Sequence, residues 1–345
     1  AEQEGAMSKI EWTDRSDWNP VRGCTRCSEG CRNCYAEILA ARFSEPGQWG
    51  HGFAHVTGGD HRWTGRVELQ EDRLTLPLKW RKPARIFPNS TFDLFHESLP
   101  DSAIDKIFAV MALTPRHTYQ PLTKRAARMR DYLSALTVKR LRDAVTPGEW
   151  PITKHHADAW LDPHASPEQR VLYRARQVTL PLPNVWLGVS VENQQAADER
   201  IPHLLETPAA KRFISAEPLL GPMVLEPWLY RDATPPLSAP NSFRPIPPLD
   251  WVIVGGESGP DARECDVGCV RSIVAQCKAA GVACFIKQLG ASPFSTIKVP
   301  PFTQWCLDDG PSAYEAGPFY ALLKDRKGAD MAEWPEDLRV REFPA

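Results

Sequence analysis

Short, continuous runs of apolar and β-branched residues recur along this chain, and a helix-like stretch follows most of them. "RIFPNS" (85–90) precedes an amphipathic segment near 101–113, and "HTYQPLT" (117–123) precedes the Arg-rich 124–143. "NVWLGVSV" (184–191) leads into 194–206, "KRFISAE" (211–217) into a loop, and "DWVIVGGE" (250–257) into 267–280, after which comes "ACFIKQ" (283–288). Runs of this length without polar alternation are how strands covered on both faces read in a parallel sheet. Strand–helix alternation predicts an α/β fold with right-handed crossovers. A further strand just before residue 24 brings the count to about seven, which suits a partial or complete (β/α) barrel better than a small open sheet. The 345 residues are comfortable for one such barrel or for two domains.

Three stretches depart from this rhythm. Residues 144–183 read as an insertion or lid. Residues 231–249 hold six prolines in nineteen positions and read as a surface loop, because proline fits neither a helix interior nor a central strand. Residues 291–345 form a C-terminal extension to a barrel spanning 7–290, and residues 1–6 look like a cloning remnant ahead of Met7. No run of eighteen apolar residues is present, so no membrane-spanning helix is expected. "AEQEGAMSKIEW" lacks the apolar stretch of a secretory signal, which makes the cytoplasm the expected location. The formal net charge of −2 gives no global field for nucleic acid, so any polyanion site must be local.

Four of the nine cysteines crowd into "GCTRCSEGCRNC": Cys24, Cys27, Cys31 and Cys34. Cytoplasmic thiols stay reduced, which favours a metal or catalytic role over disulfides. Taken together the four thiols offer a zinc site, although structural zinc sites usually separate their two cysteine pairs more widely. Taken as C-x3-C-x2-C (27, 31, 34) or C-x6-C-x2-C (24, 31, 34), three thiolates leave one iron of a [4Fe–4S] cluster open, and Gly23 and Gly30 suit the short irregular loop such a cluster needs. Polar residues also gather just after the apolar runs. They are Ser90, Asp93, Thr123, Lys124, Arg125, Ser190, Glu192, Asn193, Glu217, Glu257, Ser258, Lys287 and Gln288. Ligand sites of α/β barrels and open sheets are built at that edge, though strand ends also turn polar simply where they meet water.

The frame Asn19-Pro20-x-x-Gly23-Cys24, followed by Cys31-x-x-Cys34-Tyr35-Ala36, resembles the cluster loop of radical S-adenosylmethionine (SAM) enzymes near spore photoproduct lyase. The blocks "KIEWTDRSDWNPVRGC", "PLKWRKPARIF", "DLFHE", "LTKR", "GVSVEN", "AEPLLGP", "DWVIVGGESGP" and "FIKQLG" are similar to those of a phage-associated three-cysteine-motif family and span most of residues 8–290. This resemblance implies a radical-SAM-type barrel. It places the cluster ligands on Cys24, Cys31 and Cys34, with Cys27 inside the wider loop. It further implies SAM as cofactor, an electron donor as partner, and cofactor contacts among Ser90, Asp93, Lys124, Glu192, Glu217 and Glu257. Of these, Ser90 and Asp93 are the positional candidates for the SAM amino group, and Lys124 for its carboxylate or a substrate phosphate. Gly255-Gly256-Glu257 resembles the motif that holds that amino group but falls on a late strand.

Residues 116–142 carry eight Lys/Arg against Asp131 alone. A solvated helix face explains such a run, and so does a phosphate-contacting strip through Arg125, Arg128 and Lys139 on one helix over 124–142, with nucleic acid as the partner. The competing function is a non-enzymatic zinc module that binds nucleic acid or a protein partner. His51, His55 and His61 read as surface histidines; Cys265, Cys269 and Cys277 as structural thiols; Trp18, Trp80 and Trp251 as core.

Overall fold

A computed structural model describes residues 10–145, 178–230, 248–298, 300–302, 304–305, 318–321 and 323–345. Residues 1–6, most of 144–183 and all but two residues of 231–249 lie outside them. The chain divides into two compact units, Ala1–Gly188 with Thr207–Lys211, and Val189–Glu206 with Arg212–Ala345.

The architecture is mixed α/β. The strands, in chain order, are β1 (Val21–Arg22), β2 (Ala54–Thr57), β3 (Asp60–Trp63), β4 (Glu68–Leu69), β5 (Arg85–Ile86), β6 (Thr118–Tyr119), β7 (Leu122–Thr123), β8 (Trp186–Ser190), β9 (Lys211–Ala216), β10 (Trp251–Gly255), β11 (Cys265–Asp266), β12 (Ala283–Gln288), β13 (Pro293–Ser295), β14 (Gln304–Trp305) and β15 (Phe319–Tyr320). Helices relevant to the argument are α1 (Tyr35–Arg42), α2 (Glu71–Leu74), α3 (Leu76–Lys79), α4 (Asp101–Leu113), α5 (Ala126–Ser134), α6 (Val138–Asp143), α7 (Gln194–Glu206), α8 (Glu226–Leu229) and α9 (Val267–Ala280). A five-stranded parallel sheet has the order β12-β10-β9-β8-β7.

In the first unit, the strand just before the cysteine loop is β1, which does not join the parallel set; an isolated bridge at Arg15 meets Ile86 in parallel instead, with Phe87 N–H donating to the Arg15 carbonyl at 2.8 Å. The pair β1–β4 is a separate antiparallel ribbon. β5 pairs in parallel with β6, and Tyr119 bridges Val185 in parallel. Residues 117–123 behave as one strand. The N–H groups of Thr118 and Gln120 donate to Ala84 and Ile86, that of Tyr119 donates to Asn184, and the Pro121 carbonyl accepts from Gly188. Pro121 has no N–H to give, which is why the ladder divides into β6 and β7. Alternation also fixes the faces. Tyr119 points to the helix layer, where its hydroxyl meets Thr114 at the end of α4, so Gln120 and Leu122 share the opposite face. α4 buries Ile104, Ile107, Phe108 and Met111, spaced by three and four residues as an amphipathic helix requires, and ends before Pro115.

The Arg-rich stretch does not form the single helix expected over 124–142. It breaks into α5 and α6 at 135–137, where Thr137 caps α6 by accepting from the Arg140 N–H at 3.2 Å. His55 and His61 sit on the β2–β3 hairpin, with His51 just before it; the hairpin is turned by Gly58 and Gly59, whose positive φ angles of 59° and 87° suit a tight two-residue turn.

In the second unit every residue of β10 is buried, and β10 pairs in parallel with β9 and β12. α9 covers this sheet with Val267, Val270, Ile273 and Cys277. It starts at Asp266, which accepts from the Gly268 N–H, and stops at Gly281, whose φ of 68° suits a C-terminal glycine. Cys265, Cys277 and Cys284 lie in this core and Cys269 at its edge, as structural thiols do. The tail returns to the sheet: Ile286 N–H donates to Val340 and Glu342 N–H to Cys284, so residues 340–342 run antiparallel along the outer edge of β12. Phe343 packs on Trp251 and Phe285 there. Among the described residues no helix is long and apolar enough to cross a membrane.

Candidate functional site

The cysteine loop is anchored before its first thiol. Gly23 has φ +89°, and a Cβ built there would lie 1.8 Å from the Arg66 carbonyl oxygen, so no other residue fits. Asn19 ties the loop to the turn after β5: its Oδ1 accepts from Ser90 Oγ and from Thr91 N–H, both at 3.1 Å, while its Nδ2 donates to the Ser16 carbonyl. Beyond the loop, Arg26 donates to the buried Glu37 of α1 at 2.7 Å, and the other oxygen of Glu37 accepts from Trp63 N–H of β3. The asparagine, the glycine and the helical glutamate therefore fix the loop at both ends.

All four thiols are free. Cys31 is the end of a single 3-10 turn, Glu29–Cys31, and its sulfur receives the Cys27 thiol together with the N–H groups of Cys27 and Ser28. The Cys27 hydrogen bond, aided by the Lys124 charge and opposed by burial, pulls the Cys31 thiol down to about 4. Cys27, the donor of that bond, is pushed up. Cys34 caps α1; burial raises it while the N–H groups of Glu37 and Ala36 stabilise its thiolate. Cys24 is pushed up to about 12 by burial and by the neighbouring Asp93 carboxylate.

Several strand-end groups predicted from sequence meet this loop. Asp93 is buried and fully engaged: Oδ1 accepts from Thr123 Oγ1 at 2.6 Å and Phe95 N–H at 3.0 Å, and Oδ2 from Lys124 N–H at 3.1 Å and the Arg125 guanidinium at 3.0 Å. Arg125 is the keystone. It is 8% exposed, pairs with Glu97 at 2.8 Å, and donates to the carbonyl and hydroxyl of Thr25 inside the cysteine loop, at 3.2 and 2.9 Å. Thr25 also meets His96 Nε2 at 2.8 Å, and His96 Nδ1 accepts from Ser98 N–H. Burial and the adjacent Arg125 hold His96 low, so it stands neutral with its proton on Nε2, donating to Thr25. Lys124 differs from Arg125. It is half-buried, it acts on the Cys31 and Cys34 thiols, and among the described residues no carboxylate pairs with it. Ser90 braces the loop by donating to the Ser16 carbonyl and Asn19. Thr25, His96 and Glu97 are not among the site residues expected from sequence, although His96 and Glu97 lie inside "DLFHE" and Thr25 between two of the cysteines.

In the second unit the predicted carboxylates are each paired with a base. Glu192 and Arg200 form a buried ion pair at 2.8 Å. Glu217 is bound by Lys287, and Glu257 accepts from the Arg263 N–H and guanidinium. Gly256 is demanded by packing, since a Cβ there would fall 2.2 Å from the Leu289 carbonyl.

The basic segment does not present the strip expected of it. Arg125 is buried, Arg116 donates to the carbonyls of Pro77, Leu78 and Trp80, Arg128 and Arg140 pair with Asp101, Arg130 with Asp131, and Lys139 with Asp143.

Among the described residues no group of three or more His, Cys, Asp or Glu side chains is disposed to hold a metal ion. The donor chemistry nonetheless fits an iron–sulfur group: a cubane takes each thiolate on a different iron, so its ligands need not converge on one point, and amide N–H groups directed at sulfur are the contacts that tune such clusters. The family described as "Protein of unknown function (DUF5131)" matches the chain over residues 7–325. No curated protein and no solved structure matches it.

Proposed function

The chain belongs to the DUF5131 family, and we propose that it is a radical-SAM-like iron–sulfur enzyme built on a partial (β/α) barrel. One observation carries this reading. The cysteine loop is bolted by Arg125, through Thr25, to the carboxyl ends of β5 and β7, the edge where parallel α/β folds place their chemistry. The barrel reading is supported by the sequential parallel pairing of Arg15, β5, β6 and Val185, and the partial form by the tail that occupies the outer edge of β12.

Cys24, Cys31 and Cys34 would hold the cluster. Cys27 is taken as the extra thiol, because the frame Asn19-Pro20-x-x-Gly23-Cys24 anchors Cys24. With SAM on its open iron, a [4Fe–4S] cluster supplies one-electron cleavage of a carbon–sulfur bond and so radical chemistry. Cys31 has its thiol lowered by the Cys27 hydrogen bond, Lys124 balances the negative charge of the thiolates, and Arg125 and Asp93 keep the loop from spreading. Lys124 is the strand-end cation left to meet an anionic ligand end. Ser90 and Asp93, being committed to the loop, serve the cofactor by positioning.

Anaerobic reconstitution with iron and sulfide, followed by metal analysis and visible absorption, tests the proposal. About four iron and four sulfide per chain are expected. Loss of both is expected in Cys24→Ala, Cys31→Ala and Cys34→Ala, and retention in Cys27→Ala. Stoichiometric zinc that depends on all four thiols, with no iron uptake, would establish the zinc module instead.

A further inference from the structure

Gln120 is fully buried, and neither its Nε2 nor its Oε1 has a hydrogen-bond partner. The other buried carboxamides are satisfied. Asn89 exchanges bonds with the Leu122 backbone, Gln276 accepts from Leu225 N–H and donates to Met223, and Gln288 donates to Gly256. A buried amide with both ends unpaired is costly, and an apolar residue of the same size would be more stable there. The surroundings narrow what would pair with it. Ile86 is level with Tyr119, and Tyr119 with Val185, so one residue further on Phe87 and Trp186 flank Gln120 on the same face, each about 4.8 Å away across the ladder. Phe87 is packed on Trp12 with ring centroids 4.9 Å apart, and Trp186 is half-buried. Leu122 continues this face, and Lys124, in the bend just after β7, lies beside the thiols roughly 13 Å of chain further on.

We infer that Gln120 reads the edge of a nucleobase, a flat ring with a donor and an acceptor side by side, flanked by Phe87 and Trp186. Such a base would be carried in on an arm that leaves its sugar–phosphate towards Lys124. A carboxamide satisfies both of its ends on such an edge at once, and aromatic neighbours favour a flat ring over an aliphatic amide. This names the substrate class of the site proposed above and rests on that reading for its chemistry. It also moves nucleic-acid recognition away from the basic segment and onto a single unstacked base.

The test is equilibrium binding of adenosine, guanosine, cytidine, uridine and thymidine to the full chain, before and after iron loading, with asparagine amide as the ring-free carboxamide. The wild type should bind at least one nucleoside more tightly than the amide. Gln120→Leu and the near-isosteric Gln120→Met should weaken that binding at least about tenfold while melting no lower than wild type. Binding of no nucleoside, equal binding by both variants, or equal binding of the ring-free amide would overturn the inference. Lower melting of both variants would do so too, by showing that Gln120 serves the fold. Iron content measured on the same samples separates the two readings: nucleoside binding without iron uptake would sink the cluster alone, and iron uptake without nucleoside binding would sink the base site alone.

Discussion

Arg125 and Asp93 are both nearly buried and satisfy each other at 3.0 Å, and they join the cysteine loop to the strand ends. Removing one partner strands the other's charge. Arg125→Met should cost about 3 kcal/mol or more in urea unfolding and loosen the loop. Glu97→Gln should cost less than about 1 kcal/mol, because Glu97 is 65% exposed. Gly23→Ala and Gly47→Ala make a second contrast. Both positions have φ near +85° to +89°, but nothing lies near a Cβ at Gly47 whereas a backbone oxygen blocks one at Gly23. Gly47→Ala should cost about 1–2 kcal/mol; Gly23→Ala should cost clearly more and lower iron uptake. His117 gives a pH signature. It is fully buried against Trp80 and Tyr119, and burial followed by the Arg116 charge lowers it to about 4. The unfolded chain takes up this proton near 6.5, so it binds more protons than the folded chain between pH 6.5 and 4. Stability present above 6.5 is therefore lost as pH falls through that window, by at most about 1.4 kcal/mol per unit. His117→Gln should flatten that part of a melting-temperature profile.

The elements show which parts of the fold could be read in advance. The runs at 85–90, 117–123, 184–191, 211–217, 250–257 and 283–288 all carry strands, because a strand covered on both faces must be apolar at every position and so announces itself locally. The cysteine loop was legible for a similar reason, since its donors lie within eleven residues. What local pattern could not reveal was pairing at a distance. Arg125 and Thr25 are a hundred residues apart, and Glu217 and Lys287 seventy. Strand-end carboxylates that looked available in sequence turned out to be held by such partners, and the helix expected over 124–142 breaks where Thr137 caps a new one. The tail over β12 was equally hidden, being a single bridge in the 291–345 extension. Removing residues 340–345 should bare the β12 edge and the Trp251 and Phe285 rings, lowering the melting temperature and promoting self-association in light scattering.

On the scale of the whole molecule, each unit meets its polar groups differently. In the second unit, acids and bases beside the strand ends neutralise one another, which makes a rigid scaffold. In the first, the Cys27 hydrogen bond holds the Cys31 thiol below its ordinary range, the Lys124 ammonium has no carboxylate among the described residues, and the Gln120 carboxamide has no partner. These three groups lie on one unit, and the proposed cluster and base account for all of them. The most direct measurement is the iron and sulfide content of the anaerobically reconstituted chain alongside its Cys31→Ala and Cys27→Ala variants. The account predicts about four of each in the wild type and in Cys27→Ala, and none in Cys31→Ala. Zinc in place of iron, or equal loss in both variants, would contradict it.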